Sequence, residues 1–394
     1  MRDISKTAVI FAWGIVLVLL LAASLIAAQF ETAPERKLYQ DIHDYRVDDF
    51  TLIEAAFILS GANQPDSLEY YVGWYNDLLS TLKAYNFDPF DRVNSADKIF
   101  AYLHANWLIT YQERATTLID VVREKRYNCV AGTILYNLIC EDLNFRTEAF
   151  ETPTHTYTIF PNFTETITVE NTTPMGFDIM RNLHEYSKHL LRFYPEKQAY
   201  QIGLDRIYAY ENSKGRRIDN TELLGLLAYN RAYFAREKKD FKTAYDFVLL
   251  AQRFNKDSRS NVNFEIDLYY HWGKQLFDDE NYKAAFRVYA DAYYRYWEYG
   301  DLAHNCRASL FKALGKKWEE KEWEGNKELV DDVFDLGLLD DKDFIRLQQI
   351  IQNWAFYFYQ TRDKQSAFQA LDVLTKINPD DPQLARFKKL IEEL

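Results

Sequence analysis

Residues 126–145 read RYNCVAGTILYNLICEDLNF, and the assignment of this stretch decides what is built around it. Ala131, Ile134, Leu135, Leu138 and Ile139 recur at helical spacing, which predicts a buried helix beginning at about Cys129. A cysteine at a helix start meets unpaired backbone N–H groups and the positive end of the helix dipole, both of which favour a thiolate. Cys140 and Cys306 instead lie inside helical patterns beside Leu138, Ile139, Leu310 and Phe311, and read as small buried hydrophobes. Three cysteines so spaced form neither a disulfide framework nor a paired zinc site.

Downstream of this helix the period changes from helical to alternating. RTEAFET (146–152), THTYTIF (154–160) and ETITVEN (165–171) are rich in Thr, Ile, Val, Tyr and Phe and are interrupted by Pro153 and by Pro161-Asn162-Phe163, which predicts short antiparallel strands. A hairpin centred between Asn162 and Phe163 sets His155 directly opposite Glu170 on one face. Acyl transfer from an amide needs a thiolate, a base beside it and an acid that orients the base. Cys129, His155 and Glu170 offer one candidate for each role. Upstream, DDFTLIEAAFILSG (48–61) predicts a helix ended by Gly61, a second follows through Tyr70, Trp74, Leu78 and Leu82, and SADKIFAYLHANWLITY (95–111) predicts a third with Ser95 as its N-cap.

Taken together, YNCVAGTILYNLICEDLNF, ETPTHTYTIF and ITVENTTPMGFD are similar to the motifs of the transglutaminase-like superfamily, which delivers a papain-type Cys-His-acid core in this chain order. The resemblance covers roughly residues 47–178. It implies an α+β fold for residues 31–202, with Cys129 as nucleophile, His155 as general base and Glu170 as orienting acid, in a place where the superfamily usually has Asp. Gln112 is the candidate side-chain oxyanion donor, with the Cys129 backbone N–H as the other possibility.

From residue 203 to 394 strand signals disappear. Ala232, Ala244 and Ala251 are spaced by twelve and seven positions, Gly273, Ala285 and Ala292 repeat that spacing, and Ala355, Ala367 and Leu371 follow, with Pro379 where a repeat ends. This resembles the tetratricopeptide pattern, in which small residues let paired helices approach closely, and implies an all-α array that presents a face to a protein partner. Trp318 and Trp323 fall in a charged helix outside this register.

At the other end, residues 8–28 (AVIFAWGIVLVLLLAASLIAA) carry no charge and would span roughly 30 Å as one helix. Arg2 and Lys6 precede the run and Glu31 and Glu35 follow it, which places the body outside the cytoplasm. Residues 1–30 therefore read as a single-pass membrane anchor, or as a signal segment cleaved from a secreted protein.

At 394 residues the chain suits two folded units. Its 48% hydrophobic content with only 13 Gly and 9 Pro predicts compact, mainly helical structure. A net charge of −12 without a basic stripe argues against nucleic-acid binding. Asn162-Phe-Thr and Asn171-Thr-Thr match the glycosylation sequon. His184 and His189, five positions apart, do not match a helical metal pair; no zinc spacing, phosphate loop or nucleotide fingerprint is present, and neither metal nor cofactor is expected. Two functions fit: a thiol enzyme acting on an amide of a peptide or protein by acyl transfer or hydrolysis, with the helical array recruiting partners, or an inactive adaptor built from the same parts.

Overall fold

Helix starts in the region of the site are written into the local sequence. Thr51 and Glu54 form a reciprocal capping box that opens Leu52–Leu59, and Thr117 with Asp120 does the same for Leu118–Glu124, each satisfying N–H groups that a helix start leaves free. Gly61, at φ 99°, ends the first of these. The computed structural model describes residues 28–162 and 165–394. The apolar run expected to cross a membrane lies, up to residue 27, outside the described residues. Among the described residues no helix is long and apolar enough to cross one.

The expectation of an α+β transglutaminase-like fold is corrected by this structure. About 68% of the described residues are helical and the sheets among them are small. Among the described residues they are a two-stranded parallel ladder, β1 (Thr110–Tyr111) with β2 (Arg126–Tyr127), and a four-stranded antiparallel sheet. The latter holds β3 (Glu148–Glu151), β4 (Thr156–Pro161), β5 (Thr166–Val169) and β6 (Arg216–Ile218) in the order β5-β4-β3-β6. The physical reason is strand length. The alternating runs stop at prolines and turns after a few residues, and helices cover what the strands would otherwise bury. The chain is mainly α-helical.

By contact, the described chain divides into Ala28–Glu265 and Ile266–Leu394. In the first unit the cysteine helix, Cys129–Asp142, packs on β4 and on helix Asn220–Glu237, which also touches Leu52–Leu59. The first small-residue helix pair of the expected array, Asn220–Glu237 with Phe241–Phe254, thus shares a compact unit with Cys129. Ser95 is not the N-cap of its helix. That helix runs Arg92–Asn106 from Asp91, and Ser95 is buried one turn in, its hydroxyl donating to Asp88 O (3.0 Å).

In the second unit, consecutive helices pair, Tyr282–Arg295 with Gly300–Glu320 and Asp341–Thr361 with Lys364–Ile377. Ala285, Ala292, Ala355 and Ala367 are all buried. Trp318 and Trp323 both pack against Trp354, with ring centroids 4.8 and 5.5 Å away. A Cβ added at Gly273 would come within 2.4 Å of the Tyr289 ring. That ring is buried and its hydroxyl donates to Tyr270 O (3.3 Å), so it has little room to retreat.

Gly273→Ala therefore sets about 1 kcal/mol of gained helix propensity against an overpacking cost of about 1–3 kcal/mol. We expect net destabilisation, read as a lower midpoint in urea; an unchanged or higher midpoint would show that the helices need no glycine there.

Candidate active site

Cys129 is the first residue of its helix. Asn128 caps that helix, its Oδ1 accepting from Ala131 N (3.0 Å). The N–H groups of Cys129 and Val130, at a helix start, have no intrahelical acceptor. The β1–β2 ladder brings Tyr111 beside Tyr127 and into the wall of the cavity that holds Cys129. Cys129 is 9% exposed, through that cavity. Cys140 and Cys306 are fully buried, and burial pushes the Cys140 thiol up to about 12; they are inert beside it.

His155 immediately precedes β4 and Glu170 immediately follows β5. Their register departs from expectation. Thr158 pairs with Val169 and Pro161 with Thr166, so continuing the ladder sets Tyr157, and not His155, opposite Glu170. The slip is of two residues, which preserves the face because side chains alternate with period two. His155 and Glu170 are consequently diagonal neighbours, a separation that long side chains bridge. The Glu in place of a shorter Asp makes that reach, and His155 Nε2 lies 2.7 Å from Glu170 Oε2.

The loop after β5 closes around the acid. Glu170 N donates to Gly176 O (2.9 Å), and a Cβ on Gly176 would fall 1.8 Å from Glu170 O, so only glycine fits. Glu170 Oε1 accepts from Thr172 N (3.1 Å) and from the Thr172 hydroxyl (2.6 Å). That hydroxyl oxygen also meets His189 Nε2 at 2.8 Å. With its proton given to Glu170, the Thr172 oxygen accepts from His189. The chain runs His189, Thr172, Glu170, His155. In the sequence His189 stands only five positions from His184, a spacing that does not match a metal pair, and nothing in that spacing shows this role. Phe193 stacks on the His155 ring at 4.5 Å.

Burial opposes charge on His155. The adjacent Glu170 carboxylate and its hydrogen bond to the ring, with the nearby Cys129 sulfur, outweigh it and push the imidazole up to about 10. Burial likewise opposes ionisation of Glu170, but the His155 charge and hydrogen bond, His189 and Thr172 hold it below the usual carboxylate range. Both shifts favour an imidazolium–carboxylate pair. His155 Nδ1 has no partner in good hydrogen-bonding geometry, while Cys129 is near enough to act on the ring; contacts of this kind are often long and misaligned before substrate binds. His189 is pushed down, by burial first, which keeps it neutral at the far end of the chain. Burial first, and then the neighbouring Cys129, raises the Tyr111 phenol, so it stays a hydroxyl donor.

His155, Glu170 and His189 hold three possible metal-ligand atoms within 4.8 Å of one another. Those atoms are already engaged, His155 Nε2 by Glu170 and His189 Nε2 by Thr172, so a cation would have to break the hydrogen-bond chain. Gln112 is not in the cavity wall. It is exposed, and its Oε1 accepts from Arg126 (2.8 Å). Asn171 of the second sequon is fully buried, its Nδ2 donating to Thr158 (2.8 Å), so in the folded chain it is a structural residue.

Cys129 opens onto a cavity of about 700 Å³, whose lining also includes His155. Its walls include Tyr111, Phe193, Tyr229, Tyr233 and Phe234, with Asn230 and Asn261 among them.

No family model matches the chain, and no curated protein matches it. Among solved structures, the crystal structure of menin, described as revealing the binding site for Mixed Lineage Leukemia (MLL) protein, aligns over 93% of this chain and 99% of that chain at 11% identity, with a TM-score of 0.31. A likeness that small carries no argument about fold or function.

The ion pair has a pH signature. The part of the stability due to His155 is complete below 6.5 and is lost as pH rises through about 10. The part due to Glu170 is present above 4.5 and is lost as pH falls through its depressed value. Glu170→Gln removes both and leaves the imidazole buried without its counter-charge, so we expect a loss of about 3–5 kcal/mol near neutral pH. Urea unfolding of both proteins across the pH range checks this: the deficit should shrink in acid and above about pH 10, and a deficit flat with pH would rule out the charged pair.

Proposed function

We propose that this chain is a thiol enzyme that transfers or hydrolyses an acyl group held in an amide of a peptide or protein. The observation that carries the reading is geometric: the buried His155 ring is held by Glu170 at 2.7 Å and lines the same cavity as a cysteine at a helix start. The likeness of the Cys, His and acid motifs to those of the transglutaminase-like superfamily supports the same chemistry.

The steps follow from the groups present. The Cys129 thiolate attacks the amide carbonyl carbon, forming a C–S bond and placing charge on the carbonyl oxygen. The N–H groups of Cys129 and Val130, both in the cavity wall, are the available donors to that oxygen. His155 gives its proton to the departing nitrogen, the C–N bond breaks, and a thioester remains. Neutral His155 then takes a proton from water or an amine as that nucleophile attacks the thioester, and the thiolate and imidazolium are restored. Glu170 stays ionised and holds the ring. Gln112, bound to Arg126, takes no part in this scheme. Partner recruitment by the helices after residue 265 is part of the proposal and rests on their small-residue spacing alone.

p-Nitrophenyl acetate tests the chemistry without requiring the natural substrate. We expect a stoichiometric burst of nitrophenol with an acetyl group recovered on Cys129, no burst in Cys129→Ala, and acetylation slowed by about 10²–10⁴-fold in His155→Gln. Equal acetylation rates for His155→Gln and the unaltered chain would leave Cys129 as an ordinary thiol and favour the adaptor reading.

A further inference from the structure

Two residues that line the cavity beside Cys129 each carry a buried polar atom that the fold leaves unpaired. Asn261 is 1% exposed. Its Nδ2 donates to Asn255 O (3.2 Å), which turns its Oδ1 away from that partner, and Oδ1 has no hydrogen-bond partner. Asn230 Nδ2 is also buried and unpartnered. Both residues line the cavity that holds Cys129 and His155. A buried donor or acceptor left unmade costs about 1–3 kcal/mol, so a free acceptor and a free donor on two residues of one cavity wall call for an occupant that offers the complement.

The charges nearby narrow the choice. Arg114 is paired with Glu237 (2.6 Å) and lies over the Phe234 ring. Glu151 is held by Asn255 Nδ2 and Ser258 Oγ, each at 3.0 Å. A carboxylate ligand would bring acceptors only and an ammonium donors only, so neither suits both asparagines. An amide brings one of each, a carbonyl for Asn230 Nδ2 and an N–H for Asn261 Oδ1. The aromatic walls suit the apolar flanks of a peptide in the same way.

We propose that Asn230 and Asn261 form an amide-reading pair that holds a peptide unit or a side-chain carboxamide of the substrate while another of its amides reaches Cys129. This rests on the acyl-transfer reading for the choice of an amide over a sugar hydroxyl, which would also offer a donor and an acceptor.

The test is binding to the full chain carrying Cys129→Ala, which cannot turn over, followed by calorimetry. The probe is acetyl-Ala-Ala-Phe-Ala-Ala-methylamide, together with versions in which each backbone N–H in turn is replaced by an ester oxygen. A second probe has Gln in place of Phe. If a backbone unit is read, one ester replacement weakens binding about tenfold, and that penalty vanishes when Asn261→Leu is added. If a side-chain carboxamide is read, the ester series is flat, and the Gln peptide binds about tenfold more tightly, an advantage lost in Asn230→Leu. No measurable binding, or a flat ester series with no Gln advantage, overturns the pair and leaves both asparagines to ordered water. Because the ester series alters only the probe, the result survives a variant that fails to fold. Acetylation of Cys129 by p-nitrophenyl acetate is scored separately: its absence with an ester-sensitive peptide removes the enzyme and keeps the pair, and its presence with insensitive peptides does the reverse.

Discussion

A buried polar cluster joins the helix that carries the cysteine to the strand that follows the histidine, and the geometry of the site depends on it. Thr158, on β4, donates to Asn137 Oδ1 of the cysteine helix (2.5 Å), and Asn137 Nδ2 donates to Asn220 Oδ1 at 2.9 Å. Asn171 closes the cluster from the other side, donating to Thr158 (2.8 Å) and to Thr133 (3.2 Å). All five side chains are buried. In a low-dielectric interior such groups are costly without partners, so the sliding position of helix against sheet that makes these bonds is favoured over its neighbours. That position also sets Cys129 near the His155 ring.

The same logic of enforced pairing governs the charges. Neither His155 nor Glu170 has any side-chain exposure, and both would resist ionisation if alone. Each is ionised because of the other, and Thr172 with its backbone N–H and hydroxyl takes up the second carboxylate oxygen. Phe193 covers the ring. Water is thereby kept from the acid side of the imidazole, while Cys129 opens to the cavity. A charge held in a dry, prearranged frame acts more strongly on its neighbour than one in solvent.

Around this centre the fold is one of helices brought close by small residues. Ala232, Ala244 and Ala251 are fully buried between paired helices in the first unit, and a Cβ on Gly225 would meet Ala251 O at 3.1 Å and Asn255 at 3.0 Å. The first unit therefore uses for the cysteine-bearing core the same device that the second unit uses between its own helices. Helix Asn220–Glu237 contributes from one side to the small-residue packing with Phe241–Phe254 and from the other to the cavity, through Tyr229, Asn230 and Tyr233.

By itself the sequence determined the local items: where the cysteine helix begins, that three short strands follow it, that Cys129, His155 and Glu170 come in the order a thiol site needs, and that small residues recur at a helix-pairing period. Each is a matter of periodicity, capping or composition over a few residues, which neighbours along the chain decide. Tertiary structure decided the rest. The two-residue shift in the β4–β5 register, the binding of Gln112 by Arg126, the burial of Asn171 and the recruitment of His189 through Thr172 all depend on contacts between distant segments, and no spacing encodes them. The cavity and the two unpaired amide groups on its wall residues arise in the same way, because Asn230 and Asn261 belong to different helices and come to line one cavity only when the core has closed.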